Sequence, residues 1–158
     1  MTRVEKVVYK LHSELYGKDI LEVACGCAEF SISASKLAKT VHCIDLDNKR
    51  LLPNAKNCNN LIFCEMDATA MSYKNDSFDT IIIYNAIGHL QQVMEKTIGE
   101  CLRVLRASGN MYIISSFKMD KEVILNNLLP LLEQYKLCFH ILEDNIHICI
   151  QIKKQDYL

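Results

Sequence analysis

The chain has 158 residues, 18 basic and 19 acidic side chains for a net charge of -1, and half of its residues are hydrophobic against 23% charged. That length suits one domain, 1-158, around one core, and the composition excludes disordered and fibrous classes, while the scattered Lys and Arg give no strong nucleic-acid signature. Charge of both signs over Met1 to Lys10 predicts no secretory leader, and runs such as Ile81-Ile82-Ile83 are too short to cross a membrane, so the expected location is cytoplasmic.

Residues 1-17 place Val4, Val7, Val8, Leu11 and Leu15 at helical spacing, which predicts an amphipathic helix over one edge of the fold. Asp19 to Ala24 reads as a short apolar strand, broken by Cys25-Gly26-Cys27. From Glu29, Phe30, Ile32, Ala34, Leu37 and Ala38 recur at helical spacing, and Val41 to Leu46 is the next strand. Strand, turn, helix and strand form the building block of a parallel sheet. Asn48 to Asn57 is a predicted helix, capped by Asp47 or Asn48 and shortened by Pro53. Leu61 to Glu65 is a third strand, Tyr73 to Ser77 a loop, and Asp79 to Tyr84 a fourth strand apolar enough for full burial.

A helix over Gln91 to Leu105, the turn Ala107-Ser108-Gly109-Asn110 and a strand over Met111 to Ser116 follow. After a helix over Lys121 to Tyr135, strands Leu137 to Leu142 and Ile146 to Ile152 form a terminal hairpin, 137-152, through Glu143-Asp144-Asn145. The expected fold is α/β: a doubly wound, mostly parallel seven-stranded sheet of Rossmann-like type with a C-terminal antiparallel hairpin. The eight cysteines show no zinc-site spacing, and several sit in apolar runs, so free buried thiols are expected and no metal.

In such a sheet the first strand-to-helix turn lies at the ligand crevice. Here it reads Glu22-Val23-Ala24-Cys25-Gly26-Cys27-Ala28-Glu29, with small residues at 24, 26 and 28 that let backbone approach a ligand. A pyrophosphate over the helix N-terminus would meet Glu22 and Glu29, whereas a cationic ligand without phosphate, such as S-adenosylmethionine, suits an acidic turn. Asp45 follows Gly26 by 19 residues, at the second strand's end, where a carboxylate accepts both hydroxyls of a ribose.

From Asp19 to Phe117 the chain resembles class I S-adenosylmethionine-dependent methyltransferases, and among them the small type 11 group. The resemblance rests on Asp19-Ile20-Leu21-Glu22-Val23-Ala24-Cys25-Gly26, Cys43-Ile44-Asp45-Leu46-Asp47, Met66-Asp67-Ala68, Ser77-Phe78-Asp79-Thr80-Ile81-Ile82, Asn85-Ala86-Ile87-Gly88-His89-Leu90 and Glu100 to Gly109, in family order. It implies that the Ala24, Cys25 and Gly26 backbone, with Glu22 nearby, holds the methionine part. Asp45 then takes the ribose, Leu46 packs on the adenine, Asp67 accepts from its amino group with Ala68 alongside, and Asn85 and Ala86 face the cofactor. The family has glycine where this chain has Ala24 and Ala28, so each added methyl is expected to narrow the cofactor loop.

His89, after the fourth strand, reads either as a general base or substrate contact or as a loop histidine; no catalytic residue is otherwise assigned. Asp79, at a strand entry, is expected to be structural. The methyl acceptor is unidentified, and two other functions stay open: a noncatalytic S-adenosylmethionine-binding or scaffold subunit, and a nicotinamide-dependent reductase. With about eighteen residues before the first strand to serve as a lid, the expectation is that the acceptor is large, that a homodimer partner or other subunit covers the site, or that the domain has lost catalysis.

Overall fold

The computed structural model describes residues 1–155; the last three residues of the expected 1-158 domain lie outside them. Its sheet holds β1 (Asp19–Val23), β2 (Thr40–Asp45), β3 (Leu61–Glu65), β4 (Phe78–Tyr84), β5 (Leu105–Ser115), β6 (Cys138–Glu143) and β7 (Ile148–Lys153). They stand in the order β3-β2-β1-β4-β5-β7-β6. The pairs β1–β2, β1–β4, β2–β3 and β4–β5 are parallel. Only β7 is reversed, antiparallel to both β5 and β6.

The period of two along each strand builds two cores. Ile20, Ile82, Tyr112 and Ile114 pack against Val4, Val7 and Val8 of α1 (Arg3–Lys10) and Phe30 and Ala34 of α3 (Glu29–Ala34), with the short α2 (His12–Leu15) adding Leu15. Leu21, Val23, Ile81, Ile83, Met111 and Ile113 face the other way, against α4 (Met94–Val104) and the segment holding α5 (Lys118–Val123) and α6 (Leu129–Gln134). Ile81, Ile82 and Ile83 are all fully buried. Each contributes about 1.5–3 kcal/mol by leaving water, so a central strand apolar on both faces anchors both layers.

Several boundaries differ from the sequence expectation, each for a local reason. The predicted helix over 48–57 shrinks to a 3-10 turn at Pro53–Asn57. Pro53 forces Leu52 into extended backbone (ψ 138), and the Asp47 carboxylate accepts the Lys49 N–H at 2.9 Å, which favours a turn instead. The predicted helix from Gln91 begins at Met94, after 3-10 turns over Ile87–Val93. The expected turn at 107–110 is an irregular stretch inside β5, with a register shift opposite Asp79 and Ser108 in the left-handed region (φ 62).

The helix expected from Lys121 starts at Lys118 and passes through a π turn, Ile124–Leu128, before α6. Pro130 lacks an N–H and would crowd the carbonyl one turn earlier, and the wider π turn relieves that clash. The hairpin connection spans 144–147, where Asp144 accepts the N–H groups of Ile146 (2.7 Å) and His147 (2.6 Å). Its other oxygen bonds Lys10 at 2.6 Å, which ties the hairpin to α1.

Asp79 serves the amino edge of the sheet. Arg106 lies 3.0 Å from both Asp19 and Asp79, and Asp79 also accepts the Asp19 N–H at 2.9 Å. This cluster joins β1, β4 and β5 at the end away from the ligand crevice.

Candidate functional site

The sheet order reverses beside β1, so the crevice opens at the carboxyl ends of β1, β2 and β4. Three residues of the first turn, Ala24 (φ 55), Gly26 (φ 53) and Ala28 (φ 62), sit in the left-handed region. That repeated reversal folds the chain tightly back onto β2, and Cys25 N–H reaches the Ile44 carbonyl at 3.0 Å. Asp45 then fixes the turn from the end of β2, accepting Gly26 N–H and Leu46 N–H on separate oxygens, each at 2.7 Å.

Glu22 falls on the α3 face of β1 because it alternates with Leu21 and Val23. There it is 1% exposed, accepts the Ser31 N–H at 3.0 Å and bonds the Ser31 hydroxyl. Burial pushes its carboxyl up to about 8, opposed by the two Ser31 bonds and reinforced by the negative charges of Asp45 and Glu29. Glu22 is therefore mainly protonated at neutral pH, and the expected negative charge of the turn falls to Glu29 and Asp45. A phosphate is disfavoured for another reason: Asp45 already holds the Gly26 amide and Glu22 the Ser31 amide.

Two adjoining cavities receive the residues singled out in the sequence. One of about 380 Å³ is lined by Glu22, Cys25, Gly26, Asn85 and Ala86, and the other, of about 250 Å³, by Leu46, Asp67 and Ala68. Ala24, Asp45 and His89 line both. Leu46 is 73% exposed, an apolar surface at the rim. One Asp67 oxygen accepts the Thr69 N–H (2.8 Å) and hydroxyl (2.7 Å), bonds that hold its carboxyl below the usual range. Arg103 braces the loop beyond through the carbonyls of Met71 (3.0 Å) and Tyr73 (2.8 Å).

Ala28 departs from expectation. It is fully buried with Cys25 and Cys43, and it is absent from the cavity lining, so its methyl narrows nothing there. Asn85, also left-handed (φ 50), uses its side-chain oxygen to accept the Ser116 N–H at 2.8 Å. Asp120 is buried and accepts the Ser115 hydroxyl at 2.6 Å and the Gly88 N–H at 3.1 Å. These bonds lock the loop carrying Asn85, Ala86 and His89 onto the end of β5. Asp120, Arg50 and Phe117 were not singled out in the sequence; Arg50 and Phe117 line the larger cavity. Arg50 lies in the stretch expected to be helical, where its direction could not be read.

Residues 20–109, more than half of the chain, match the family described as "Methyltransferase domain", and the chain belongs to that family. A phthiotriol/phenolphthiotriol dimycocerosates methyltransferase of Mycobacterium ulcerans is 32% identical over 105 residues, covering 62% of this chain and 37% of that protein. The chain thus spans little more than a third of that curated relative. In fold it is similar to a SAM-dependent methyltransferase from Aquifex aeolicus, with TM-score 0.80, 16% identity and coverage of 95% of this chain and 89% of that one. It is similar too to the N-methyltransferase NodS of Bradyrhizobium japonicum in complex with S-adenosyl-L-homocysteine, with TM-score 0.74, 14% identity and coverage of 96% and 86%.

Two expectations follow from this geometry. Left-handed alanine costs about 1–2 kcal/mol, which exceeds the entropy glycine adds to the unfolded chain, about 0.5–1 kcal/mol. Ala24→Gly should therefore raise thermal stability by a few tenths to about 1 kcal/mol, whereas Ala28→Gly also loses about 0.8 kcal/mol of methyl burial and should give no gain. Calorimetric melting of the two variants checks the contrast. For Glu22, the folded protein holds a proton that the unfolded chain releases near 4.5, so this stabilisation is full below pH 4.5 and is lost as pH rises through about 8. Urea midpoints of the wild type relative to Glu22→Gln should fall between pH 5 and 8.5; a constant difference would contradict the buried protonated carboxyl.

Proposed function

We propose that the chain binds S-adenosylmethionine across the ends of β1, β2 and β4 and transfers its methyl group to an acceptor entering beside residues 85–90. The observation that carries this reading is Asp45. Each of its oxygens accepts one backbone amide, which fixes the carboxylate and leaves acceptor capacity on both for a ribose diol. The smaller cavity suits an adenine between Leu46, Asp67 and Ala68, and the larger suits the amino-acid end against Ala24, Cys25 and Gly26. The bound product analogue of the structurally similar NodS supports the same cofactor class.

Bound there, the cofactor supplies an electrophilic methyl on a sulfonium. The protein's part is mainly alignment: the Asp45-held turn positions the donor, and the loop locked by Asn85 and Asp120 sets where the acceptor approaches. His89, exposed between the two cavities, takes a proton where the acceptor must lose one. The exposed Leu46 and Phe117 (55%) at the rim favour a second reading, in which a partner subunit or second copy covers the site and the chain is a noncatalytic cofactor-binding subunit. The eight free cysteines support placement in a reducing, cytoplasmic compartment. No described helix is long and apolar enough to cross a membrane.

Titration calorimetry should show S-adenosylmethionine and S-adenosylhomocysteine binding to the wild type, with Asp45→Asn at least about tenfold weaker through loss of charge-assisted bonds. NADH should not bind. Absence of binding at millimolar cofactor would overturn the reading, and binding without transfer of labelled methyl into metabolite, protein or RNA fractions would favour the noncatalytic alternative.

A further inference from the structure

From the larger cavity we infer that Arg50 recognises the α-carboxylate of the cofactor's methionine moiety and selects a carboxylated donor; this rests on the proposed S-adenosylmethionine site. The cavity holds the carboxyl groups of Glu22, Glu29 and Asp45, and Arg50 is its one Lys or Arg among the described residues. A cofactor ending in an ammonium and a carboxylate needs a cation for the second group.

The geometry of Arg50 suits that task. From the point where a Cβ on Gly26 would stand, Nη1 lies at 3.4 Å, Cζ at 3.5 Å and Nη2 at 3.7 Å. Atoms so nearly equidistant place the guanidinium face-on over the glycine, so its flat side packs against the turn. The N–H groups point from the edge of that plane, and none has a hydrogen-bond or ion-pair partner among the described residues. They form a free planar fork beside the first turn, matched to a carboxylate in the bidentate manner.

A carboxylate suits the fork better than a phosphate, because Glu29 and Asp45 on the same cavity repel further negative charge and two of the neighbouring amides are already engaged. A phosphate site adds backbone N–H groups to its cation, and here Asp45 and Glu22 occupy those of Gly26 and Ser31. A carboxylate is satisfied by the fork alone. Glu29, on the same cavity, supplies the opposite charge for the ammonium.

The test is a two-by-two set of dissociation constants: wild type and Arg50→Met, each with S-adenosylmethionine and with its decarboxylated form, which keeps the sulfonium and amine. The wild type should prefer the carboxylated cofactor by about tenfold to a hundredfold, the range of charge-assisted bidentate bonds. Arg50→Met should lose that preference by weakening S-adenosylmethionine alone, and Arg50→Lys, which keeps the charge, should retain part of it. Equal weakening of both ligands would assign Arg50 to the shape of the turn and overturn the inference, as would an unchanged preference. If the wild type bound neither ligand, the cofactor site itself would fail, a result distinct from loss of selectivity. Arg50 is exposed, and a melting curve confirms that each variant folds.

Discussion

The Asp45 carboxylate reaches from the end of β2 to the Gly26 amide at the end of β1, and the whole crevice depends on that bridge. Together with the Cys25 N–H bond to the Ile44 carbonyl, it draws the left-handed residues of the first turn back over the sheet. Glu22 does the equivalent work one turn into α3, holding the Ser31 amide from inside the fold. Two acidic side chains thus satisfy amides that in a dinucleotide fold would be left for a pyrophosphate. Both bonds are made within the protein, before any ligand arrives.

The same bridge explains which strain the turn carries. Ala24 and Ala28 occupy backbone that favours glycine, yet their methyls go to different places. Ala28 recovers part of its cost by burial beside Cys25 and Cys43, whereas Ala24 lines both cavities and recovers less. Strain of this kind persists where the surroundings over-determine the backbone, and here the Asp45 and Cys25 hydrogen bonds do so. At the other wall, Asn85 and Asp120 constrain the loop after β4. Both sides of the crevice are therefore held by hydrogen bonds from the protein itself.

Much of the fold was legible because the parallel strands are short apolar runs. Asp19 to Val23, Leu61 to Glu65 and Phe78 to Tyr84 stand within a residue of where the pattern put them, and the reversed last strand followed from the short hairpin connection. Helix boundaries were less legible: Pro53 was expected to shorten its helix but reduced it to a 3-10 turn by holding Leu52 extended, and Pro130 acts through a carbonyl one turn earlier. The residues expected at the site do line the two cavities, because the first turn and the strand ends are close in sequence to the motifs that mark them. What could not be read was direction: Glu22 was expected as a charged cofactor contact, and the pleat turns it inward to Ser31. Likewise, Arg50 and Asp120 reach the site from segments whose course is set by tertiary contacts.

Asp45 and Glu22 take up the Gly26 and Ser31 amides, and Glu29 adds its charge on the same cavity, which disfavours a phosphorylated ligand relative to a bare nucleoside. Adenosine and ADP share base and ribose, and their dissociation constants at neutral pH compare that difference alone. ADP should bind at least about tenfold more weakly than adenosine, the cost of a phosphate facing Glu29 and Asp45 where the Gly26 and Ser31 amides are already taken. ADP binding as tightly as adenosine, or more tightly, would contradict it.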